Sequence, residues 1–195
     1  MNEIFNLLTT STGTLPDELK LEFEKIMVPR TFGRWEFLVR PGKVNEKLFF
    51  IIGGTARCFT TRQSATDGEQ DVNRQFLLET DFFGSIYRFH HRIVEDQFVQ
   101  ALKPCQVLVT SIKKYEATMQ EFPQFYRYSY ETWCRTVKED RVADMLRLPS
   151  AAEKYEFLLR NFGNLAREIP GKYLASFMGL DTTTLYKIKG RKVKG

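Results

Sequence analysis

The chain has 195 residues, of which 43% are hydrophobic and 27% charged, a composition typical of globular proteins rather than disordered or fibrous ones. Its longest uncharged segment, Ile4–Pro16, has 13 residues, whereas a transmembrane helix needs about 18 or more apolar residues. The N-terminus also lacks the basic region of a signal peptide, so we expect a cytoplasmic protein with no membrane partner.

The net charge of +5 is distributed unevenly along the chain. The first 148 residues carry 20 basic and 20 acidic side chains, whereas the last 47 carry nine basic and four acidic ones. A neutral body followed by a cationic end predicts two functional parts, of which the second binds a polyanion.

The cysteines and histidines argue against a metal centre. Cys58, Cys105 and Cys134 are odd in number and far apart, unlike a disulfide framework or a four-cysteine zinc or iron–sulfur site. The two histidines, His90 and His91, are adjacent, and neighbouring side chains point in different directions on a strand or a helix. We therefore predict no metal site, no cofactor and no catalytic residues.

The first two thirds of the chain predict a short helix followed by a β-rich region. Pro16 and Asp17-Glu18 are typical of a first helical turn, and Pro29 marks the end of the helical pattern. From Thr31 to Ile112, apolar runs alternate with Gly, Pro and Asp, which predicts an antiparallel β-roll. The runs expected to form strands are Phe32–Val39, Leu48–Ile52, Ala56–Arg62, Val72–Leu78, Phe98–Leu102 and Gln106–Thr110.

The residues after Lys113 are expected to be helical. Tyr115–Phe122 predicts a short helix, and Gln124–Leu148, which lacks Gly and Pro, predicts a long amphipathic one. The apolar face of this long helix either packs on the chain's own β-roll or pairs with the same face of a second copy in a homodimer. We favour the homodimer. The large side chains of this face include Phe125, Tyr126, Tyr130, Trp133 and Val137.

The segment Pro170–Arg191 predicts a helix-turn-helix. Gly171–Met178 is expected to form the first helix and Gly179-Leu180 the turn, where Gly179 can adopt the positive φ that a sharp turn requires. Asp181 is expected to cap a second helix that runs to about Lys189.

The outer face of the second helix predicts binding to double-stranded DNA. Threonine and lysine side chains on a helix in the major groove can contact base edges. The candidate base-reading residues are Thr182, Thr183, Tyr186 and Lys187. A basic run, which includes Lys189, Arg191 and Lys192, follows in a position to meet phosphates.

The order of these parts resembles the Crp/Fnr family of bacterial transcription regulators. The segments that carry the resemblance are Arg40-Pro41-Gly42-Lys43, Leu48–Gly54, Thr80–Gly84 and Lys172–Leu180. The resemblance implies an α+β fold with an N-terminal jelly-roll β-roll of the cyclic-nucleotide-binding type, a long dimerisation helix and a C-terminal helix-turn-helix. The expected parts are a sensor domain (1–122), a dimer helix (123–148) and a DNA-binding domain (149–195).

The resemblance also implies partners and contact residues. It implies a homodimer that binds a palindromic operator, with RNA polymerase as a further partner. Thr182, Thr183 and Lys187 fall where family members contact bases. The positions near the DNA backbone are Lys172, Ser176 and Thr184.

The candidate effector pocket departs from the family's pattern. Members that bind cyclic nucleotides have a Gly-Glu pair and a later Arg that takes the cyclic phosphate, whereas this chain has Gly84-Ser85 and then Glu95 or Asp96. A carboxylate about 4 Å from a phosphate costs about 4 kcal/mol at an effective dielectric constant of 20. We therefore predict that cyclic AMP is not the effector, whose identity stays open. The candidate pocket residues are Phe83, Gly84, Ser85, Arg88, Glu95, Asp96 and Gln97.

Family members usually continue into a β-wing, but this chain stops six residues after Lys189, so we expect little or no wing.

One alternative, a small-molecule-sensing β-roll module that regulates a protein partner, leaves the basic C-terminus unexplained. A cupin-type enzyme, which shares the β-roll, would need two or three histidines around a metal, and the adjacent pair does not supply them.

Overall fold

The computed structural model describes residues 16–64, 68–123, 126 and 139–192. These residues form two compact units. The β-roll unit comprises the described residues up to Cys58 and from Leu77 to Tyr126, and the C-terminal unit comprises Phe59–Phe76 and the described residues from Glu139 onward. We call the β-hairpin in the second unit, residues 59–64 and 68–76, the hairpin arm.

Eight strands form two four-stranded sheets in the described part of the chain. They are β1 (Val28–Phe32), β2 (Phe37–Val39), β3 (Lys47–Gly53), β4 (Ala56–Ser64), β5 (Gly68–Leu77), β6 (Phe82–Phe83), β7 (Phe98–Ala101) and β8 (Cys105–Ser111). The sheet orders are β1-β8-β3-β6 and β2-β7-β4-β5. β8 pairs antiparallel with both β1 and β3, as β6 does with β3 and β2 with β7. The predicted antiparallel β-roll of an α+β fold is confirmed.

The helices lie before, between and after the strands. Those described are α1 (Asp17–Ile26), α2 (Ile86–His90), α3 (Ile112–Glu121), α4 (Glu139–Arg147), α5 (Ala151–Asn161), α6 (Gly163–Glu168), α7 (Gly171–Phe177) and α8 (Thr182–Lys192). None of residues 139–192 forms a strand. The short elements β6 and α2 were not predicted from the sequence.

The predicted strand Phe32–Val39 is wrong in its extent. The chain turns at residues 33–36, where the Glu36 N–H donates to the Gly33 carbonyl and Trp35 has a φ of 70°. β1 and β2 therefore belong to different sheets. β1 includes Pro29, which an edge strand tolerates because the missing N–H faces away from the ladder.

β3 is an inner strand of its sheet, and both of its faces are buried. Leu48 and Phe50 join a cluster with α1 and α3, whereas Phe49 and Ile51 join a cluster inside the roll. Successive side chains of a strand point to opposite faces. A strand covered on both sides needs the continuous apolar run that the sequence has here.

The long helix predicted over Gln124–Leu148 is only partly described. Its C-terminal portion forms α4, and Tyr126 is 53% exposed. Phe125, Tyr130, Trp133 and Val137 lie outside the described residues. The domain boundaries at 122 and 148 therefore stay predictions.

Cys58 and Cys105 are buried free thiols in the β-roll unit. Burial raises the pKa of both thiols above the ordinary value, which makes them poor nucleophiles at neutral pH. The third cysteine, Cys134, lies outside the described residues.

Two left-handed glycines provide a matched test of the roll's packing. Gly54 has a φ of +93°, and a Cβ there would lie 2.1 Å from the Pro104 carbonyl oxygen, whereas Gly42, with a φ of +102°, has nothing within 4 Å. We expect Gly54→Ala to lower the free energy of unfolding by about 3 kcal/mol or more and Gly42→Ala by about 1–2 kcal/mol. Urea denaturation of both variants measures this, and equal losses would contradict the described β-roll.

Candidate nucleic-acid interface and effector region

The turn between α7 and α8 has the predicted helix-turn-helix geometry. α7 ends at Phe177, one residue earlier than predicted, and Gly179 has a φ of +65°. The Leu180 N–H donates to the Ala175 carbonyl at 2.9 Å, a hydrogen bond typical of a helix C-terminus that ends in a left-handed glycine. The sharp turn therefore rests on the one residue type that adopts this φ without steric cost.

Asp181 caps α8 as predicted. Its carboxylate accepts the Thr184 N–H at 2.8 Å and the Thr184 hydroxyl at 2.5 Å. The hydroxyl bond is the main reason that the pKa of Asp181 lies below its ordinary value. α8 extends to Lys192, about three residues beyond the expected end.

The two helices cross closely. Ala175 is 1% exposed, and Leu174, Met178 and Leu185 are fully buried with it. A Cβ on Gly171 would lie 2.8 Å from the Tyr186 hydroxyl oxygen, so the tyrosine ring reaches across to the first residue of α7. The approach of the Tyr186 ring to Gly171 was not predicted from the sequence.

The candidate base-reading residues share one exposed face of α8. Thr182, Thr183, Tyr186 and Lys187 are all exposed, at positions i, i+1, i+4 and i+5 of the helix. The helix begins with these residues, so they lie at the end that enters the major groove in helix-turn-helix proteins. The face can present two hydroxyls, a phenol and an ammonium group to a binding partner.

The candidate backbone-contacting residues have more varied surroundings. Lys172 is exposed, with its ammonium 4.6 Å from the centre of the Tyr173 ring. Lys189 is half-buried, with its ammonium 5.9 Å from the centre of the Tyr155 ring. Thr184 donates its hydroxyl to the cap. Arg191 and Lys192 occupy the last turn of α8.

Ser176 contacts the hairpin arm through two hydrogen bonds. Its hydroxyl donates to the Asp71 carbonyl at 3.0 Å and accepts the Asn73 N–H at 3.1 Å. β5 is an edge strand, and these two backbone groups point to the same side of it. The hydroxyl therefore satisfies polar groups of a strand edge, and its one proton is already donated.

Aromatic packing accompanies the Ser176 hydrogen bonds. The rings of Phe177 and Phe76 are 5.2 Å apart in an edge-to-face arrangement, and Phe162 lies 6.4 Å from Phe177 on another side. The hairpin arm and the first helix of the helix-turn-helix are therefore packed together within one unit.

In the effector region, an ion-pair cluster occupies the part of the sequence where the family has its phosphate-binding arginine. The Arg88 guanidinium donates to the Val94 carbonyl at 2.7 Å and to Asp96 Oδ1 at 2.8 Å, and lies 3.9 Å from Glu95 Oε1. Glu95 is 5% exposed and also accepts the Gln97 N–H at 3.3 Å. One guanidinium thus offsets part of the charge of the two carboxylates within the chain.

The remaining pocket residues lie in the same part of the β-roll unit. Ser85 caps α2 by accepting the Arg88 N–H at 3.2 Å. Gly84 has a φ of +131°, and a Cβ there would lie 2.6 Å from the Lys47 carbonyl oxygen. Phe83 packs against the cluster inside the roll. α2 has only five residues, too few to show a helical period, so its cap was not predicted from the sequence.

The two histidines have different partners. His90 Nε2 lies 2.5 Å from Glu116 Oε1, and His91 packs against the Tyr87 ring at 4.2 Å between centroids. Within the described residues, no group of three or more His, Cys, Asp and Glu side chains is placed to hold a metal ion. None of the described helices combines the length and apolar character that crossing a membrane requires.

The chain is similar in structure to known transcription regulators. A CooA mutant from Carboxydothermus hydrogenoformans matches with a TM-score of 0.64 and 18% identity, over 98% of this chain and 84% of that one. The c-di-GMP responsive global regulator CLP from Xanthomonas campestris matches with a TM-score of 0.64 and 16% identity, over 92% and 93% of the two chains. FixK2 from Bradyrhizobium japonicum matches with a TM-score of 0.67 and 16% identity, over 85% and 84%.

Comparison of sequences alone finds no such similarity. No family model matches the chain, and no curated protein matches it. The resemblance drawn from short motifs is thus confirmed at the level of the fold.

The contact between Ser176 and the hairpin arm predicts a change in hydrogen exchange. In Ser176→Ala the Asn73 N–H loses its acceptor, and a hydrogen bond contributes about 1 kcal/mol, which corresponds to about fivefold in an opening equilibrium. We expect exchange of the amides at residues 71–75 to accelerate by about that factor, as measured by mass spectrometry. Thr183→Ala, on the exposed face of α8, serves as the control, and unchanged exchange in the Ser176 variant would disprove the contact.

Proposed function

We propose that this chain, whose fold is that of the Crp/Fnr transcription regulators, is a sequence-specific DNA-binding regulator. The observation that carries the proposal is the exposed face of α8. Thr182, Thr183, Tyr186 and Lys187 lie on it beside one another, while the opposite side of the helix is buried through Leu185. A capped helix with such a face matches the requirements of a major-groove reader.

The chemistry of this face suits direct reading of base pairs. Threonine hydroxyls can bond base edges, threonine methyls can touch the methyl group of thymine, and lysine can reach the guanine acceptors. Lys172 on the first helix is placed to contact phosphate, a contact that positions the protein without selecting a sequence. The two kinds of contact together support both affinity and specificity.

The proposed regulator acts as a homodimer on a palindromic operator. A dimer would present two copies of α8, and helix-turn-helix dimers bind half-sites about 34 Å apart. The exposed Tyr126, at the start of the proposed dimer helix, supports pairing with a second copy. RNA polymerase is the further partner that regulation of transcription requires, and the proposed site of action is the cytoplasm.

The proposed regulator does not respond to cyclic AMP. A cyclic phosphate at the family's position would compete with Asp96 and Glu95 for Arg88, which already donates two hydrogen bonds within the chain. Displacing such a charge-assisted contact costs more than a neutral hydrogen bond. We propose that the β-roll serves a role other than cyclic AMP sensing, and we assign the chain no enzymatic activity.

Selection of bound duplexes from random DNA tests the proposed function. The purified full-length chain should enrich a motif with two-fold symmetry. Failure to enrich any sequence, together with no binding to duplex DNA at low salt, would instead favour a module that regulates a protein partner.

Lysine substitutions should separate base reading from backbone contact. We expect Lys187→Ala to weaken binding to the selected motif by about tenfold or more and to relax its specificity. Lys172→Ala should weaken binding to all sequences alike and reduce the slope of log K against log salt by about 0.9. Fluorescence anisotropy at several salt concentrations measures both effects.

Arg160→Ala is the control for the loss of one positive charge from the same unit. Arg160 is an exposed residue of α5, whose guanidinium lies 3.6 Å from Glu156 Oε2. Arg160→Ala should leave both the affinity for DNA and the slope of log K against log salt unchanged. Identical behaviour of the Lys187 and Lys172 variants would argue against the assigned roles.

A ligand titration tests the proposed indifference to cyclic AMP. We expect micromolar cyclic AMP to leave the melting temperature unchanged, because Arg88 is engaged and two carboxylates lie beside it. Differential scanning fluorimetry with adenosine as the uncharged control measures this. A saturable rise in the melting temperature at micromolar cyclic AMP would show that the ion-pair cluster opens for the nucleotide.

A further inference from the structure

A cavity on the β-roll unit is lined by cationic side chains. It has a volume of about 590 Å³ and lies between the β2–β3 loop and the segment that follows α2. This volume falls within the range of small-molecule sites, about 300–1,000 Å³. Its lining includes Arg40, Lys43, Lys47 and Arg92 and none of the candidate effector residues. We call it the basic cavity.

The backbone around the basic cavity is held by hydrogen bonds from two other segments. The Gly42 N–H donates to the Glu95 carbonyl, and the Glu95 N–H donates to the Lys43 carbonyl, both at 2.9 Å. The Ile112 N–H donates to the Glu46 carbonyl at 2.9 Å. The Asn45 side chain binds both backbone groups of Lys47. The cations therefore extend from a fixed backbone, which lowers the entropic cost of binding a ligand.

The charge of the basic cavity is largely uncompensated. Glu46 is its one acidic lining residue, and it lies 3.9 Å from the Arg92 guanidinium, where both side chains are mostly exposed and the attraction is weak. Within the part of the chain that the structure describes, Arg40, Lys43 and Lys47 take part in no ion pair. Four cations and one carboxylate leave a net charge of +3 around the cavity.

The form of the basic cavity adds a preference for an organic ligand. The Arg40 guanidinium is stacked 3.8 Å from the centre of the Phe37 ring, which restricts its position. The buried Phe49 and the half-buried Val44 supply apolar lining beside the charges. An anion with a small non-ionic body would contact both kinds of surface, whereas a bare inorganic ion would use only the charges.

We propose that the basic cavity binds a small phosphorylated metabolite. A phosphomonoester carries close to two negative charges at neutral pH and three acceptor oxygens, which matches a guanidinium and ammonium groups placed around one space. A concave site of this volume, with a fixed backbone, fits a ligand of sugar-phosphate size better than an acidic protein segment. The proposal goes beyond the proposed function and does not depend on DNA binding.

The same hydrogen bonds connect the basic cavity to the ion-pair cluster. Glu95 exchanges two backbone hydrogen bonds with the loop that carries Arg40 and Lys43, and its carboxylate lies near Arg88. The loop that would hold the ligand is therefore bonded to the segment that carries the cluster. Where the family has its phosphate-binding arginine this chain has Glu95 or Asp96, and the adjoining loop carries Arg40 and Lys43.

Calorimetric titration of the full-length chain with inorganic pyrophosphate and with glucose 6-phosphate tests the proposal, with glucose as the uncharged control. We expect glucose 6-phosphate to saturate below millimolar concentration and glucose not to bind. Binding of pyrophosphate alone would show a site for inorganic anions and contradict the proposal. Lys43→Glu and Arg92→Glu should each weaken binding by about tenfold or more, the loss expected for one charge-assisted contact.

Lys113→Glu is the matched control, since Lys113 is an exposed lysine on α3 outside the cavity. It should change the affinity by less than about twofold, consistent with screening at physiological salt. Circular dichroism and the melting temperature of each ligand-free variant show that the fold is retained. The proposal is overturned if neither phosphate saturates, if Lys113→Glu weakens binding as much as Lys43→Glu, or if only poly-glutamate binds in a Lys43-dependent way.

Discussion

The candidate interface depends on the close crossing of α7 and α8. Ala175 is almost fully buried at the crossing, and Gly179 turns the chain in a conformation that a residue with a Cβ adopts only with strain. Because the helices meet here, Asp181 is placed to cap α8, and the buried Leu185 fixes which side of α8 faces outward. The exposed face that includes Lys187 is a consequence of this packing.

The β-roll unit carries an ion-pair cluster at Arg88 and, beside it in the hydrogen-bonded backbone, a cationic loop. Arg88 pairs with Asp96 and lies near the buried Glu95, which offsets part of the negative charge of these two carboxylates. The loop at Lys43 is bonded to the backbone of Glu95 and carries cations that have no such partner among the described residues. The proposed anion site therefore lies on this loop and not at the cluster.

The sequence predicts best the features that arise from short-range interactions. The cap at Asp181, the turn at Gly179 and the end of α1 before Pro29 involve residues within a few positions of each other. The contact of Ser176 with Asp71 joins residues 105 positions apart, and no periodicity or motif in the sequence predicts it. Trp35 splits a predicted strand for the same reason, since its N–H bonds to Ala101 in another part of the roll. Such long-range pairs appear only once the chain is folded.

The measurement that tests the central claim most directly is genome-wide mapping of the DNA bound by the chain in its own cells, with Lys187→Ala in parallel. The account predicts discrete sites that share a motif with two-fold symmetry, whose half-sites lie about 34 Å apart, one helical turn. It also predicts that these sites lose occupancy in the variant. Occupancy spread evenly over the genome, or discrete sites that Lys187→Ala leaves unchanged, would contradict it.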